Sequence, residues 1–342
     1  MSPYAVRVLG TLALVVPAPA IAQGLFRKPD PLELTITTGL GALIRDRDST
    51  DRVMHGAELS YKDSSGAAVK VAISLRTRGH FRRQARNCDF PPLKVEMTKP
   101  VAKHTVFEGN RTLKLASSCR PLRSDYEQNI LQEYAIYRMY QALTPWSYRT
   151  RLAHVTYQDS TGKTKPVLSW AFFVEDDGDL AQRRDAKRFD TKGAYFDDLD
   201  YQQVGLMQLF AYMVGNTDWS VSGLHNVTLL RDSVGVVHPV PFDFDWSGAV
   251  DARYAFPDKS LDIPNVRTRL WRGDCRTPEA MAPVIEKFLA KRSAMDSAYT
   301  SLEGMTPAVK DKMRKYFADF WPLLETPKKL AGETKRVCKD RN

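Results

Sequence analysis

Three carboxylates and one amide in the second half of the chain have the types and spacing for chemistry on a nucleotide. Gly215-Asn216-Thr217-Asp218 is followed by His225-Asn226 and, after a short strand-turn-strand segment, by Phe242-Asp243-Phe244-Asp245. A carboxylate on a loop facing a terminal phosphate, here Asp218, can accept or orient the proton of an attacking hydroxyl. The amide oxygen of Asn226 and the carboxylate of Asp243 are hard ligands of the kind Mg²⁺ or Mn²⁺ takes. Such an ion bridges phosphate oxygens and offsets the charge that develops during transfer. Asp245 is a second candidate ligand. The set points to phosphoryl transfer, and the order of its members carries the signal.

These residues need elements to hold them. Residues 201–214 read as an apolar-rich helix that delivers Asn216 and Asp218. Residues 227–230 and 236–240 read as the two strands that bring Asn226 and Asp243 together. Upstream, from 32 to about 174, the pattern is mainly β, with strands at 34–37, 69–75, 93–97, 112–115, 152–157 and 167–174. It is interrupted by a helix over 124–143, where Ile130, Tyr134, Tyr137 and Tyr140 recur at helical spacing behind Ser124 as a cap. Polar, Gly-containing Glu175-Asp176-Asp177-Gly178-Asp179 reads as a hinge. Beyond the catalytic segment, helices are expected over 278–302 and 307–320. The resulting expectation is an α+β, two-lobed, protein-kinase-like fold. It divides into an export signal (1–22), a β-rich, nucleotide-binding N-lobe with one main helix (23–175), a mostly helical C-lobe carrying the catalytic and metal loops (176–326) and a charged tail (327–342).

With 342 residues, 43% of them hydrophobic, the chain can bury one large core or two lobes. In the first 22 residues Arg7 is the only charged side chain, an apolar core covers 8–16, and Ala20-Ile21-Ala22 supplies a cleavage site. This predicts a secreted or periplasmic protein. No other stretch approaches the roughly 20 apolar residues of a membrane helix, so no transmembrane anchor is expected after cleavage. A net charge of +10 favours anionic partners such as nucleotides or phosphorylated glycans. The basic residues are dispersed and no nucleic-acid-binding motif appears, which argues against nucleic acid. The doublets Arg82-Arg83 and Arg183-Arg184 read as solvated faces. Four cysteines in an exported chain permit three pairings, and position favours Cys88 with Cys119 and Cys275 with Cys338.

With these pieces in order, the chain resembles the CotH-type atypical kinases, and more distantly the secretory-pathway casein-phosphorylating kinases and the HipA-like kinases. The matching segments are Arg78-Gly79 with Pro92-Leu93-Lys94-Val95-Glu96, then Phe173-Val174-Glu175, then Asn216-Thr217-Asp218 through Asn226 to Asp245. They span roughly residues 75–250, about half the chain. The protein-kinase H-R-D-x-x-x-x-N and D-F-G patterns are absent and the glycine-rich phosphate loop is reduced to Gly79. The resemblance implies ATP with Mg²⁺ or Mn²⁺ as cofactor, transfer to a protein or glycan acceptor, Asp218 as catalytic residue, and Asn226, Asp243 and Asp245 as metal ligands. It also implies nucleotide contacts from Arg78 and Glu175 and a phosphate-anchoring lysine. Lys114 is favoured over Lys94 for that role, with Glu133 or Glu127 as its ion-pair partner.

Plainer readings stand beside these. Asp218 after Asn216-Thr217 also suits a turn that ends a helix. His225 reads as a structural hydrogen-bonding residue, and the glycosylation sequons at Asn110 and Asn226 as chance. Asp243-Phe244-Asp245 is also a D-x-D arrangement of the sort metal-dependent glycosyltransferases use. A catalytically inactive binding protein of the envelope is the third possibility.

Overall fold

The computed structural model describes residues 24–47 and 53–338, so the expected signal segment, 1–22, lies outside the described residues. In chain order the elements are β1 (Leu32–Thr38), α1 (Leu40–Arg45), β2 (His55–Lys62), β3 (Ala68–Thr77), β4 (Leu93–Glu96), α2 (Lys99–Ala102), β5 (Thr112–Ser117), α3 (Ser124–Leu143), β6 (Thr150–Asp159) and β7 (Val167–Val174). There follow α4 (Asp177–Arg183), β8 (Ala186–Arg188), α5 (Tyr201–Val214), β9 (Val227–Asp232), β10 (Val237–Pro241), α6 (Pro278–Thr300), α7 (Pro307–Ala318), α8 (Trp321–Glu325) and α9 (Pro327–Cys338).

The first seven strands close into a barrel in the order β1-β2-β3-β4-β5-β7-β6. All neighbours are antiparallel except β1 and β6, which run parallel from Leu32 opposite Ala153 to Thr38 opposite Asp159. This closed mixed barrel overturns the expected two-lobed, protein-kinase-like fold. The physical reason is that alternation along a strand predicts a pleated face, while the partner that seals an edge comes from elsewhere in the chain. The barrel is filled by its own side chains, among them Ile36, Leu59, Val71, Leu75, Val95, Leu113, Val155 and Phe173. Strand β2, unnamed by the sequence reading, puts Leu59 and Tyr61 into that interior and its alternate residues outward.

A second and larger core lies outside the barrel. Helix α3 contributes Ile130, Tyr134, Ile136 and Tyr140, and these join Phe210 of α5, Phe288 and Met295 of α6 and Phe317 of α7. The three-stranded sheet β10-β9-β8 lies against α5. The segment expected to be a hinge is helical instead: Asp176 caps α4 by accepting from Gly178 N–H, a Ser/Asp-type N-terminal signal that fixes the backbone there. Cys88 and Cys119 form a disulfide and Cys275 is disulfide-bonded, while the Cys338 side chain lies outside the described residues. Among the described residues no helix is long and apolar enough to cross a membrane.

Candidate active site

Helix α5 ends as its sequence requires. Gly215 takes the left-handed conformation (φ +66°) and a side chain there would collide with the Tyr316 hydroxyl. The chain then turns, with Asp218 N–H donating to Asn216 Oδ1 at 3.0 Å. The Asp218 carboxylate is held from two sides, by His225 Nε2 at 2.8 Å and by Asn226 Nδ2 at 3.0 Å. Asn226 Nδ2 also donates to the Asp218 carbonyl at 2.8 Å, which leaves the Asn226 amide oxygen for another partner. The β9–β10 pairing sets the next distance in the site. Val227 lies opposite Pro241, and Phe242 N–H donates to the Asn226 carbonyl at 3.0 Å, so Asn226 and Asp243 leave the same end of the hairpin. Both adopt positive φ, +52° and +61°. Asn and Asp tolerate that region better than other side-chain-bearing residues, yet it costs energy, and such strain concentrates where side chains must be aimed.

Asp243 meets two further carboxylates. Glu133 from α3, Asp243 and Asp245 each bring one oxygen within 4.8 Å of the other two. Asp243 N–H donates to the Tyr137 hydroxyl, one helical turn after Glu133, at 2.8 Å. Asp245 accepts from the Tyr254 hydroxyl at 2.9 Å and pairs with Arg82 Nε at 3.4 Å. Glu133 Oε2 is buried and has no hydrogen-bond partner. Burial pushes the Glu133 carboxyl well above the usual range; Arg82 opposes this, and Asp245 and Asp243 reinforce it. Burial likewise lifts Asp245 to about 7, against Arg82 and with help from Asp243. For Arg82 burial works against the charge, and Tyr254, Asp245, Glu133 and Asp243 more than offset it.

The Arg82-Arg83 doublet is therefore no solvated face: both side chains are buried, at 7% and 5% exposure. The sequence reading missed Arg82 as a site residue because doublets of arginine usually face water. No local signal marks it; the contact that seats it is tertiary, Phe81 packing on Trp246, next to Asp245 in sequence, with ring centres 5.1 Å apart. Arg183-Arg184 is corrected too. Arg183 forks onto the fully buried Glu175 at 2.9 and 2.8 Å, and Arg184 stacks over Trp146.

Lys114, on β5, pairs with Asp177 at the start of α4 (2.5 Å), not with a glutamate of α3. Its ammonium also lies over the Tyr148 and Phe242 rings at 4.8 and 5.0 Å. Burial pushes its pKa down, with Arg78 acting the same way, and Asp177 resists. Glu127 is engaged elsewhere, accepting from Ser169 Oγ and Trp170 N–H. Lys94 lies opposite Lys114 in the β4–β5 register and pairs with Glu96 at 3.1 Å. Glu175, expected to touch nucleotide, spends its carboxylate on Arg183 and on Arg149 N–H. Arg78, Arg82, Lys114, Glu133 and Asp243 together line a cavity of about 10 Å³, which suits one water molecule or one ion.

This oxygen-only donor set, with an orphaned buried carboxylate oxygen, fits a hard divalent cation such as Mg²⁺ or Mn²⁺. Glu133, Asp243 and Asp245 would hold it, with the Asn226 amide oxygen as a fourth candidate. Neither protein-family models nor curated proteins match the chain.

Proposed function

We propose that this protein is an exported, metal-dependent phosphotransferase that moves the γ-phosphate of ATP to a hydroxyl of a protein or glycan. The observation that carries the reading is the convergence of Glu133, Asp243 and Asp245 on one point, with Asp218 and Asn226 bonded to each other nearby. Glu133, Asp243 and Asp245 would hold the divalent ion, which would supply positive charge to offset that of phosphate oxygens. Asp218, about one-third exposed, receives the acceptor's proton. The acceptor oxygen bonds to the γ-phosphorus as the bond to the nucleoside diphosphate breaks, and the proton stays on Asp218. His225 and Asn226 fix the direction of the carboxylate. Arg78 and Lys114 supply the positive charge that phosphate oxygens require. The Cys88–Cys119 disulfide supports an oxidising, extracytoplasmic setting.

The test is transfer of label from γ-³²P-ATP to dephosphorylated envelope protein and glycan fractions, with Mg²⁺ or Mn²⁺ and with chelator. Metal-dependent labelling of an acceptor is the expected result. Tight Mg-ATP binding without transfer or hydrolysis would replace this reading with that of a nucleotide-binding module.

A further inference from the structure

Arg82 places one buried guanidinium among three carboxylates. A buried arginine is rare unless it meets opposite charge, and here it meets Asp245 at 3.4 Å, with Glu133 and Asp243 also acting on it. We propose that Arg82 is the resident counter-cation of the acidic cluster, and that a divalent cation takes its place on Asp245. The inference rests on the metal reading of Glu133, Asp243 and Asp245 given above, and adds to it a competitor built into the chain.

Three features support the exchange. Glu133 Oε2 is buried without a hydrogen-bond partner, so the guanidinium does not satisfy every oxygen of the cluster. The small cavity beside the cluster is lined by Glu133 and Asp243 together with Arg78, Arg82 and Lys114, so an ion held by these acids stands close enough to the Arg82 guanidinium to repel it in a low-dielectric site. The loop that carries Arg82 is fastened on both sides of it. Phe81 packs against Trp246, and Cys88 is bonded to Cys119, while Arg47 donates to the carbonyls of Arg83, Cys88 and Asp89. Exchange therefore moves the side chain and leaves the loop backbone in place. In the metal-free protein Arg82 keeps the carboxylates together. Once displaced, it adds a third cation to Arg78 and Lys114 on the side where phosphate binds.

The experiment compares thermal melts and calorimetric Mn²⁺ titrations of the full chain and of Arg82→Gln, Arg82→Lys and Arg82→Gln/Asp245→Asn, in chelator and in Mn²⁺. Arg82→Gln should melt lower than the parent in chelator and regain stability in Mn²⁺. It should bind Mn²⁺ at least roughly tenfold more tightly than the parent, because the competing charge is gone. Arg82→Lys should behave like the parent. The double variant should melt above Arg82→Gln in chelator, since one stranded carboxylate has been removed. If the parent binds Mn²⁺ while Arg82→Gln binds it no more tightly and is destabilised equally with and without it, the inference fails and the metal reading stands. If neither parent nor variants respond to Mn²⁺, the metal reading fails and the inference falls with it. Should Arg82→Gln be unfolded in both buffers, the double variant decides: recovery in chelator supports the counter-cation role, and no recovery overturns it.

Discussion

Asp218 and Asp243 are both aspartates at the ends of regular elements, yet their surroundings differ, and the proposed function gives them different work. The Asp218 carboxylate is partly exposed and, among the described residues, accepts from His225 and Asn226, with one side left open to solvent. Asp243 faces inward to Glu133 and Asp245. Asp218→Asn should lower phosphate transfer by roughly 10²- to 10⁴-fold with Mg-ATP affinity nearly unchanged, because the lost interaction belongs to the transition state. Asp243→Asn should weaken Mg-ATP binding itself, since a charge is removed from the cluster proposed to hold the ion. Paired turnover and calorimetry measurements separate the two, and equal losses of affinity in both variants would refute the division of roles.

The element on which the cationic side of the site depends is an irregular loop between β3 and β4. It carries Arg78 and Arg82 without a helix or strand to hold them, and its far end is tied by Cys88 to Cys119, 31 positions away, just before α3. Asp89 and Phe90 N–H both donate to the Cys119 carbonyl, so the covalent bond and the hydrogen bonds secure the same point. Replacing both cysteines by serine releases that constraint in the unfolded chain and should cost about 2 to 4 kcal/mol. Urea unfolding of the oxidised parent and the double variant measures it. An unchanged midpoint would show that the loop is held without the bridge.

For the molecule as a whole, closure of the barrel is the decisive event, and its seam is the parallel pair β1–β6. Asp159 sits at the end of that seam and accepts from the Thr161 hydroxyl at 2.6 Å, from Lys163 and Thr164 N–H, and from Leu40 N–H at the start of α1. The Thr161 hydroxyl first, then the Leu40 and Thr164 amides, pull its pKa down from 3.8 to about 2. A carboxyl whose pKa is lower in the folded chain stabilises the fold fully above its unfolded value. That contribution fades as pH falls from about 3.8 through about 2. Asp159→Asn should therefore be less stable than the parent at neutral pH, and the difference should shrink across that window. Denaturant melts at a series of pH values check this; a difference independent of pH would assign the effect to packing alone.

What the amino-acid sequence determined by itself is local. Residues 201–214, 124–143 and 167–174 form the helix, helix and strand that their periodicity predicts, and Asp218, Asn226 and Asp243 fall on the loops that follow or precede such elements. The N-cap of α4 was also legible in Asp176 and Gly178, although their polarity read as a hinge. What only the tertiary structure decided is which distant groups meet. Nothing in the windows around them pairs β1 with β6, turns Lys114 to Asp177, or seats Arg82 beside Asp245. The physical reason lies in range. Periodicity and capping act over one or two turns of chain, whereas barrel closure and charge neutralisation are settled by burial, which sets one buried charge against another only after the whole chain has collapsed.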